Sequence, residues 1–283
     1  LARPHVGLIT NIGVGHLAGL GSVEGVRREK SALLDGLVGR KVAILNADDP
    51  SFGFLCERAP GPVISFGLSP EAQVRATDVR CDSGGTRFLV GGRHEVGLSL
   101  LGRHAVSNAL AAIAVACVAG VELDAALAAL ASVPSPPGRL SVRRVGDVTL
   151  IDDTYNSNPG SFAAALATLS ELRLPGRLVV VAGDMLELGE ESGNLHRAAG
   201  RRLAALGPAL VVAVGQRAPD LLAGLVEGGL AARRACACAG ADEAGRLLGG
   251  QLRGGDVVLV KGSRGVALDQ IVVRLVEQSA AVA

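Results

Sequence analysis

Three segments carry side chains whose types and spacing could do chemistry together. The first is Ile151-Asp-Asp153-Thr-Tyr155-Asn-Ser-Asn158-Pro159, with carboxylates, amides and the chain's only tyrosine. The second is Val179-Val-Val-Ala-Gly-Asp184-Met185-Leu-Glu187-Leu-Gly189, which holds the only methionine. The third is Val257-Val-Leu-Val260-Lys261-Gly-Ser263-Arg264-Gly265, which holds one of only three lysines. In each, an apolar strand-like run ends in polar residues. Acidic and amide groups at such a position can hold ribose hydroxyls or a base edge, and cations with backbone amides suit a phosphate or carboxylate.

Two segments nearer the start have the same flavour. Thr10-Asn-Ile-Gly-Val-Gly-His16-Leu-Ala-Gly-Leu-Gly-Ser22 follows a strand-like run, and its four glycines permit close backbone approach to a ligand. It leads into a helix whose apolar stripe is Val23, Val26, Leu33, Leu34 and Leu37, and Lys30 falls on that stripe. An inward lysine must snorkel, pair or lose its charge, so Lys30 is either a snorkelling residue or one recruited for anion, metal or covalent chemistry. In Leu101-Gly-Arg-His104-Ala-Val-Ser-Asn108, a His and an Asn four apart share a face at the start of an Ala-rich helix. A buried Asn108 amide there needs a partner, and a nucleobase edge is one; helix capping by His104 or Ser107 is the plainer reading.

The elements that must position these groups alternate. Strands are expected at 5–9, 41–45, 62–66, 73–80, 86–90, 94–100, 148–152, 177–182, 209–214 and 256–261. Helices are expected at 22–38, 104–119, 123–132, 160–172, 193–206, 217–228, 240–250 and 265–278. Strand–helix alternation implies parallel α/β sheets, while the close-set strands over 73–100 read as a small antiparallel meander. Val133-Pro-Ser-Pro-Pro-Gly138 forbids regular structure, so two domains are expected, 1–138 and 139–283.

Composition excludes several classes. Of 283 residues, 49% are hydrophobic and 19% charged, enough for a sizeable core and too apolar for wholesale disorder. The formal charge of +1 leaves no footprint for nucleic acid or an anionic membrane. The longest apolar run, Ala109 to Val121, is too short to cross a bilayer, and no signal-peptide pattern opens the chain. Cys236-Ala-Cys238 is too tight for a zinc knuckle, so the five scattered cysteines read as free cytosolic thiols. The chain contains neither a G-x-x-x-x-G-K-[ST] phosphate loop nor a G-x-G-x-x-G after a strand.

Taken together, Thr-Asn-Ile-Gly-x-x-His, Lys30, the His104–Asn108 helix start, Asp-Asp-Thr-Tyr-Asn-Ser-Asn-Pro, Gly-Asp-Met-Leu-Glu-Leu-Gly and Lys-Gly-Ser-Arg resemble the Mur ligases. These are ATP-dependent amide-bond-forming enzymes of peptidoglycan precursor synthesis. The likeness runs over essentially the whole chain and is strongest to the branch that adds D-alanyl-D-alanine to UDP-N-acetylmuramoyl-tripeptide. It implies a fold of three domains. Residues 1–138 would be the later part of the central P-loop-type ATPase domain, and 139–283 the Rossmann-like C-terminal domain that closes over the site. The start at Leu1 and the missing phosphate loop then read as an upstream truncation.

The resemblance also implies roles. His16 matches a magnesium ligand, and Lys30 the lysine that is carbamylated and bridges toward a second Mg2+. Asn108 matches the adenine contact. Arg139 and Asp153 match residues that hold ATP phosphate and ribose, with Tyr155 at the nucleotide. Asn156, Asn158, Asp184, Glu187, Lys261, Ser263 and Arg264 would line the cleft for the incoming dipeptide. Ala105 and Ala32 depart from the family pattern, which often has an Asn after the His and an acidic residue after the lysine. The implied protein is cytoplasmic and monomeric, binds no nucleic acid and does not insert into membranes. Other readings are a sister Mur ligase, a folylpolyglutamate synthase, or a non-catalytic module that binds nucleotide and dipeptide.

Overall fold

The computed structural model describes residues 2–13 and 17–280. The chain divides into two compact units, Leu1–Pro134 and Ser135–Ala283.

The first unit runs β1 (Val6–Ile9), α1 (Leu17–Leu20), α2 (Val23–Asp35), β2 (Val42–Asn46), α3 (Phe52–Arg58), β3 (Val63–Gly67), β4 (Val74–Asp82), β5 (Gly85–Val90), β6 (His94–Leu98), α4 (Arg103–Val118) and α5 (Leu123–Ala131). Its six strands lie side by side in chain order. Neighbours from β1 to β4 pair parallel, and β4 through β6 pair antiparallel, which is the meander expected over 73–100. Strand β2 shows why the sheet is covered on both faces. Val42 and Ile44 pack into the cluster under α4, while Ala43 and Leu45 join Val26, Leu34, Leu37 and Leu55 of the opposite cluster. Ser22 starts α2 by accepting a hydrogen bond from the Gly25 amide.

The second unit runs β7 (Ser141–Val145), β8 (Val148–Asp153), α6 (Pro159–Leu172), β9 (Leu178–Gly183), α7 (Ser192–Ala204), β10 (Leu210–Val214), α8 (Ala218–Glu227), β11 (Ala235–Cys238), α9 (Ala241–Gly249), β12 (Val257–Lys261) and α10 (Asp269–Ala280). The spatial order is β11-β10-β9-β12-β8-β7, parallel except for the β7–β8 hairpin. The last strand, β12, therefore inserts between β9 and β8 in the middle of the sheet. Alternate residues Leu150, Val179, Val181, Val212, Val258 and Val260 pack toward the cluster that holds Ala244, Leu248, Ile271 and Leu275 of α9 and α10. Both units are α/β with largely parallel sheets, as the alternation implies.

Four elements escape the sequence reading, the first being α1, whose four residues are too few for a helical period to show. Helix α3 has seven residues, too few for a helical period to show. Strand β7 carries two adjacent arginines at the sheet edge. Strand β11 is Ala-Cys-Ala-Cys, a run of low strand propensity that pairing with β10 organises. All five cysteines are free thiols, and burial pushes Cys238 up to about 11. Among the described residues, no helix is long and apolar enough to cross a membrane.

Candidate functional site

The insertion of β12 between β8 and β9 brings the carboxyl ends of three neighbouring parallel strands together. Register places Lys261 beside Asp153 on one side and Ala182 on the other. The segments 152–158, 184–189 and 261–264 thus share one end of the second sheet, where parallel α/β sheets collect ligands.

Within that cluster, burial separates two sets of residues. Lys261 is 1% exposed, its ammonium 2.7 Å from Asp153 Oδ2, and it donates to the Asn156 carbonyl at 3.1 Å. Burial pushes this ammonium below the ordinary lysine range, while the Asp153 carboxylate offsets part of that and Arg139 adds to it. Ser263 donates to the Ser157 carbonyl at 3.0 Å and accepts from the Leu186 amide at 2.9 Å. Asp184 accepts from the Gln216 and Arg217 amides at 2.8 and 3.0 Å, so both oxygens fasten the loop after β10. Gly215 makes this possible: its φ is 115°, and an added Cβ would stand 2.5 Å from the Asp184 carboxyl carbon. Asn158 caps α6, accepting from the Ser161 amide at 2.9 Å while Ser161 Oγ accepts from the Asn158 amide at 3.0 Å. These four side chains hold the loops in place.

The other set faces solvent. Arg139 stacks its guanidinium 3.9 Å from the centre of the Tyr155 ring, and both are exposed. Their relation is fixed by backbone, since Tyr155 N–H donates to the Gly138 carbonyl at 3.0 Å and Leu140 N–H to Asp153 Oδ1 at 3.3 Å. Asn156, Glu187 and Arg264 are exposed on the same three loops, with Glu187 at a left-handed φ of 61°. Asp153 is intermediate: one oxygen serves Lys261, and a carboxylate has about four lone-pair sites, so capacity is left for hydroxyl donors.

In the first unit, His16 lies outside the described residues. Lys30 sits on the inward line of α2, between the buried Val26 and Leu34, yet is itself exposed. Its ammonium donates to the Asn11 carbonyl at 2.9 Å. Asn108 is exposed on α4, so the premise of a buried amide fails there; the buried face of this helix carries Ala105, Val106, Ala109 and Leu110. Helix α4 starts at Gly102, whose position supplies no side-chain cap. Among the described residues, no cluster of three His, Cys, Asp or Glu could hold a metal ion.

Sequence reasoning passed over four residues that shape loops of the two units. Thr154 donates its hydroxyl to Asp152 at 2.7 Å, turning the chain sharply after β8. Asn46 and Asp49 tie the β1 and β2 ends together, through Asn46 Nδ2 to the Thr10 carbonyl at 2.9 Å and the Ile12 amide to Asp49 at 2.6 Å. His196, 2% exposed on α7, accepts from the Met185 amide at 2.9 Å. Its sequence signal was a histidine on the stripe His196, Ala199, Gly200, Leu203, where only apolar or small residues belong.

Comparison with known proteins gives one family. Residues 1–116 match the Mur ligase middle domain, and residues 138–264 the Mur ligase glutamate ligase domain. The UDP-N-acetylmuramoyl-tripeptide–D-alanyl-D-alanine ligase of Escherichia coli is 38% identical over 224 residues, which are 77% of this chain and 49% of that protein. The ligase of the same name from Mycobacterium tuberculosis is 33% identical over 299 residues, covering 98% of this chain and 59% of that protein. Among solved structures, MurF from Acinetobacter baumannii matches with a TM-score of 0.86 at 32% identity, over 97% of this chain and 60% of that one. The MurF ligase of Thermotoga maritima in complex with ADP matches with a TM-score of 0.85 at 25% identity, over 100% of this chain and 64% of that one. The chain thus spans between 49% and 59% of the length of these two curated relatives. With both units matched in order, and the motif segments gathered at one end of the second sheet, the chain belongs to the Mur ligase family.

Proposed function

We propose that this chain is part of an ATP-dependent ligase that joins D-alanyl-D-alanine to UDP-N-acetylmuramoyl-tripeptide in the cytoplasm, during peptidoglycan precursor synthesis, acting as a monomer. Residues 1–138 would be the later part of the ATPase domain and 139–283 the C-terminal domain. The observation that carries the reading is the shared carboxyl end of β8, β12 and β9, which presents Arg139, Asp153 and Tyr155 beside Asn156, Glu187 and Arg264.

In this reading the substrate carboxylate attacks the γ-phosphorus of ATP, ADP leaves, and the dipeptide amine then attacks the acyl phosphate carbon and expels phosphate. The Arg139 guanidinium offers fixed donors to a phosphate, and its stack on Tyr155 holds it extended. Asp153 accepts ribose hydroxyls, and Asn108 meets the adenine edge. Asn156, Glu187 and Arg264 contact the dipeptide, while Lys261, Ser263, Asp184 and Asn158 keep the loops in register.

As an ammonium, Lys30 cannot ligate a cation; as a carbamate it can, and its exposure leaves the amine open to carbon dioxide. Lys30 in that form and His16 would then hold Mg2+, which neutralises charge on a transferring phosphoryl group. No phosphate loop is present in these 283 residues, so the chain by itself is expected not to turn over ATP.

The test is a chimera that joins the upstream half of the Escherichia coli relative to this chain. Phosphate release that requires both UDP-N-acetylmuramoyl-tripeptide and D-alanyl-D-alanine is expected. Release with L-alanine, D-glutamate or a diamino acid instead would move the protein to another branch of the family. A folded chimera that binds ADP but releases no phosphate with any acceptor would overturn the ligase reading.

A further inference from the structure

The turn that follows β9 is held by three successive backbone amides, each with an acceptor on a different element. Asp184 N–H donates to the Val214 carbonyl at 3.1 Å, Met185 N–H to His196 Nε2 at 2.9 Å, and Leu186 N–H to Ser263 Oγ at 2.9 Å. The residues thus presented are Leu186, 47% exposed, and Glu187 in its left-handed conformation. Both residues are thereby held at fixed positions on the surface of this sheet end.

His196 is the unusual member of this set. Its Nε2 accepts, so in a neutral ring the proton sits on Nδ1, which lies 2.7 Å from the Ser192 carbonyl and donates to it. Both ring nitrogens are therefore committed to backbone, one to the turn and one to the first turn of α7. The side chain is buried and has no path to a ligand.

We propose that His196, as the Nδ1–H tautomer, is a positioning residue that sets the Met185–Glu187 turn, so that Leu186 and Glu187 meet the methyl groups and the ammonium of the incoming dipeptide. The choice of dipeptide rests on the function proposed above; the positioning of the turn does not.

Two variants separate the two hydrogen bonds. His196→Gln keeps an acceptor near Nε2 for the Met185 amide, whereas His196→Asn keeps a donor near Nδ1 for the Ser192 carbonyl and orphans the turn. Nitrogen NMR of the 283-residue chain should show a protonated Nδ1 and a bare Nε2 at His196. Exchange of the Met185 amide should rise about tenfold or more in His196→Asn and stay within about threefold in His196→Gln, the scale of one buried donor left unpaired. The affinity for D-alanyl-D-alanine, read from the Leu186 amide shift, should fall in the same order. A protonated Nε2, or equal exchange in the two folded variants, would overturn the proposal. If exchange separates the variants while the wild-type chain ignores D-alanyl-D-alanine, the positioning role stands and the dipeptide reading falls.

Discussion

Removing Asp153 and removing Lys261 should have unequal consequences, although the two form one ion pair. Lys261 is 1% exposed and Asp153 13%. Taking away one partner of a buried pair costs about 3–5 kcal/mol, because the other charge is stranded away from water. In Asp153→Asn the stranded group is the ammonium, left with an amide oxygen and the Asn156 carbonyl, so a loss of about 3 kcal/mol is expected, at the lower end of that range. In Lys261→Met the apolar chain fills the same space and the carboxylate can recruit solvent, so the loss should be about 1–2 kcal/mol. The double variant should fall near Lys261→Met alone, a coupling of about 3 kcal/mol. Urea unfolding followed by tyrosine fluorescence isolates the second unit, since Tyr155 is the only tyrosine and there is no tryptophan. Titration supplies a second check. A lysine held below its ordinary value is more readily protonated in the unfolded chain, so stability rises with pH from the folded value up to about 10.4. Asp153→Asn removes the attraction that opposes burial, so its rise begins at lower pH and its deficit against wild type shrinks from pH 7 to pH 10. Equal losses in the two single variants, or a deficit that grows with pH, would refute the asymmetry.

Other expectations follow from single contacts. Asp256 is held below the ordinary carboxylate range, chiefly by its hydrogen bond to Arg177, with donors at 2.9 and 2.8 Å. Its contribution is therefore full above the unfolded value of about 3.9 and lost as pH falls through the folded one; Asp256→Asn should cost about 2–3 kcal/mol at pH 7 and flatten that acid limb in urea titrations. Gly215→Ala should cost about 2 kcal/mol or more in the same assay, because its backbone is left-handed and the methyl would collide with the Asp184 carboxylate. Lys30→Arg should leave stability within about 0.5 kcal/mol, as expected for an exposed side chain. With labelled bicarbonate, the wild-type chain should show a carbamate carbon signal that this variant lacks.

The sheet strands were legible where both faces are covered, because Val179–Val181 and Val257–Val260 read as unbroken apolar runs. Strand β11 was not, since alanine and cysteine carry little strand preference and only pairing with β10 organises them. Placement of the motif segments at strand ends was also legible. Their convergence on one edge of one sheet was legible too, but not the strand order that produces it, with β12 inserted between β9 and β8. Lys30 shows a related limit. Helical spacing places it between Val26 and Leu34, both buried, yet its own side chain is exposed and reaches the Asn11 carbonyl.

Residue type and spacing also do not separate a side chain that touches a ligand from one that holds the loop beside it. Lys261, Asp184 and Ser263 look as reactive on paper as Arg139, Asn156 and Arg264, yet burial and spent hydrogen-bonding capacity divide them. A lysine 1% exposed, with carboxylate and carbonyl partners in place, would have to break an ion pair to reach a substrate. An aspartate whose two oxygens each hold a backbone amide would have to release the β10 loop. Exposed Arg139 gives up nothing but a stack on Tyr155. At this sheet end the exposed residues could take a ligand without breaking these bonds, and the buried ones fix where the exposed ones stand. Substituting Lys261 or Asp184 should thus change unfolding first and ligand affinity only through the displaced loops, whereas substituting Arg139 should weaken nucleotide binding and leave unfolding nearly unchanged.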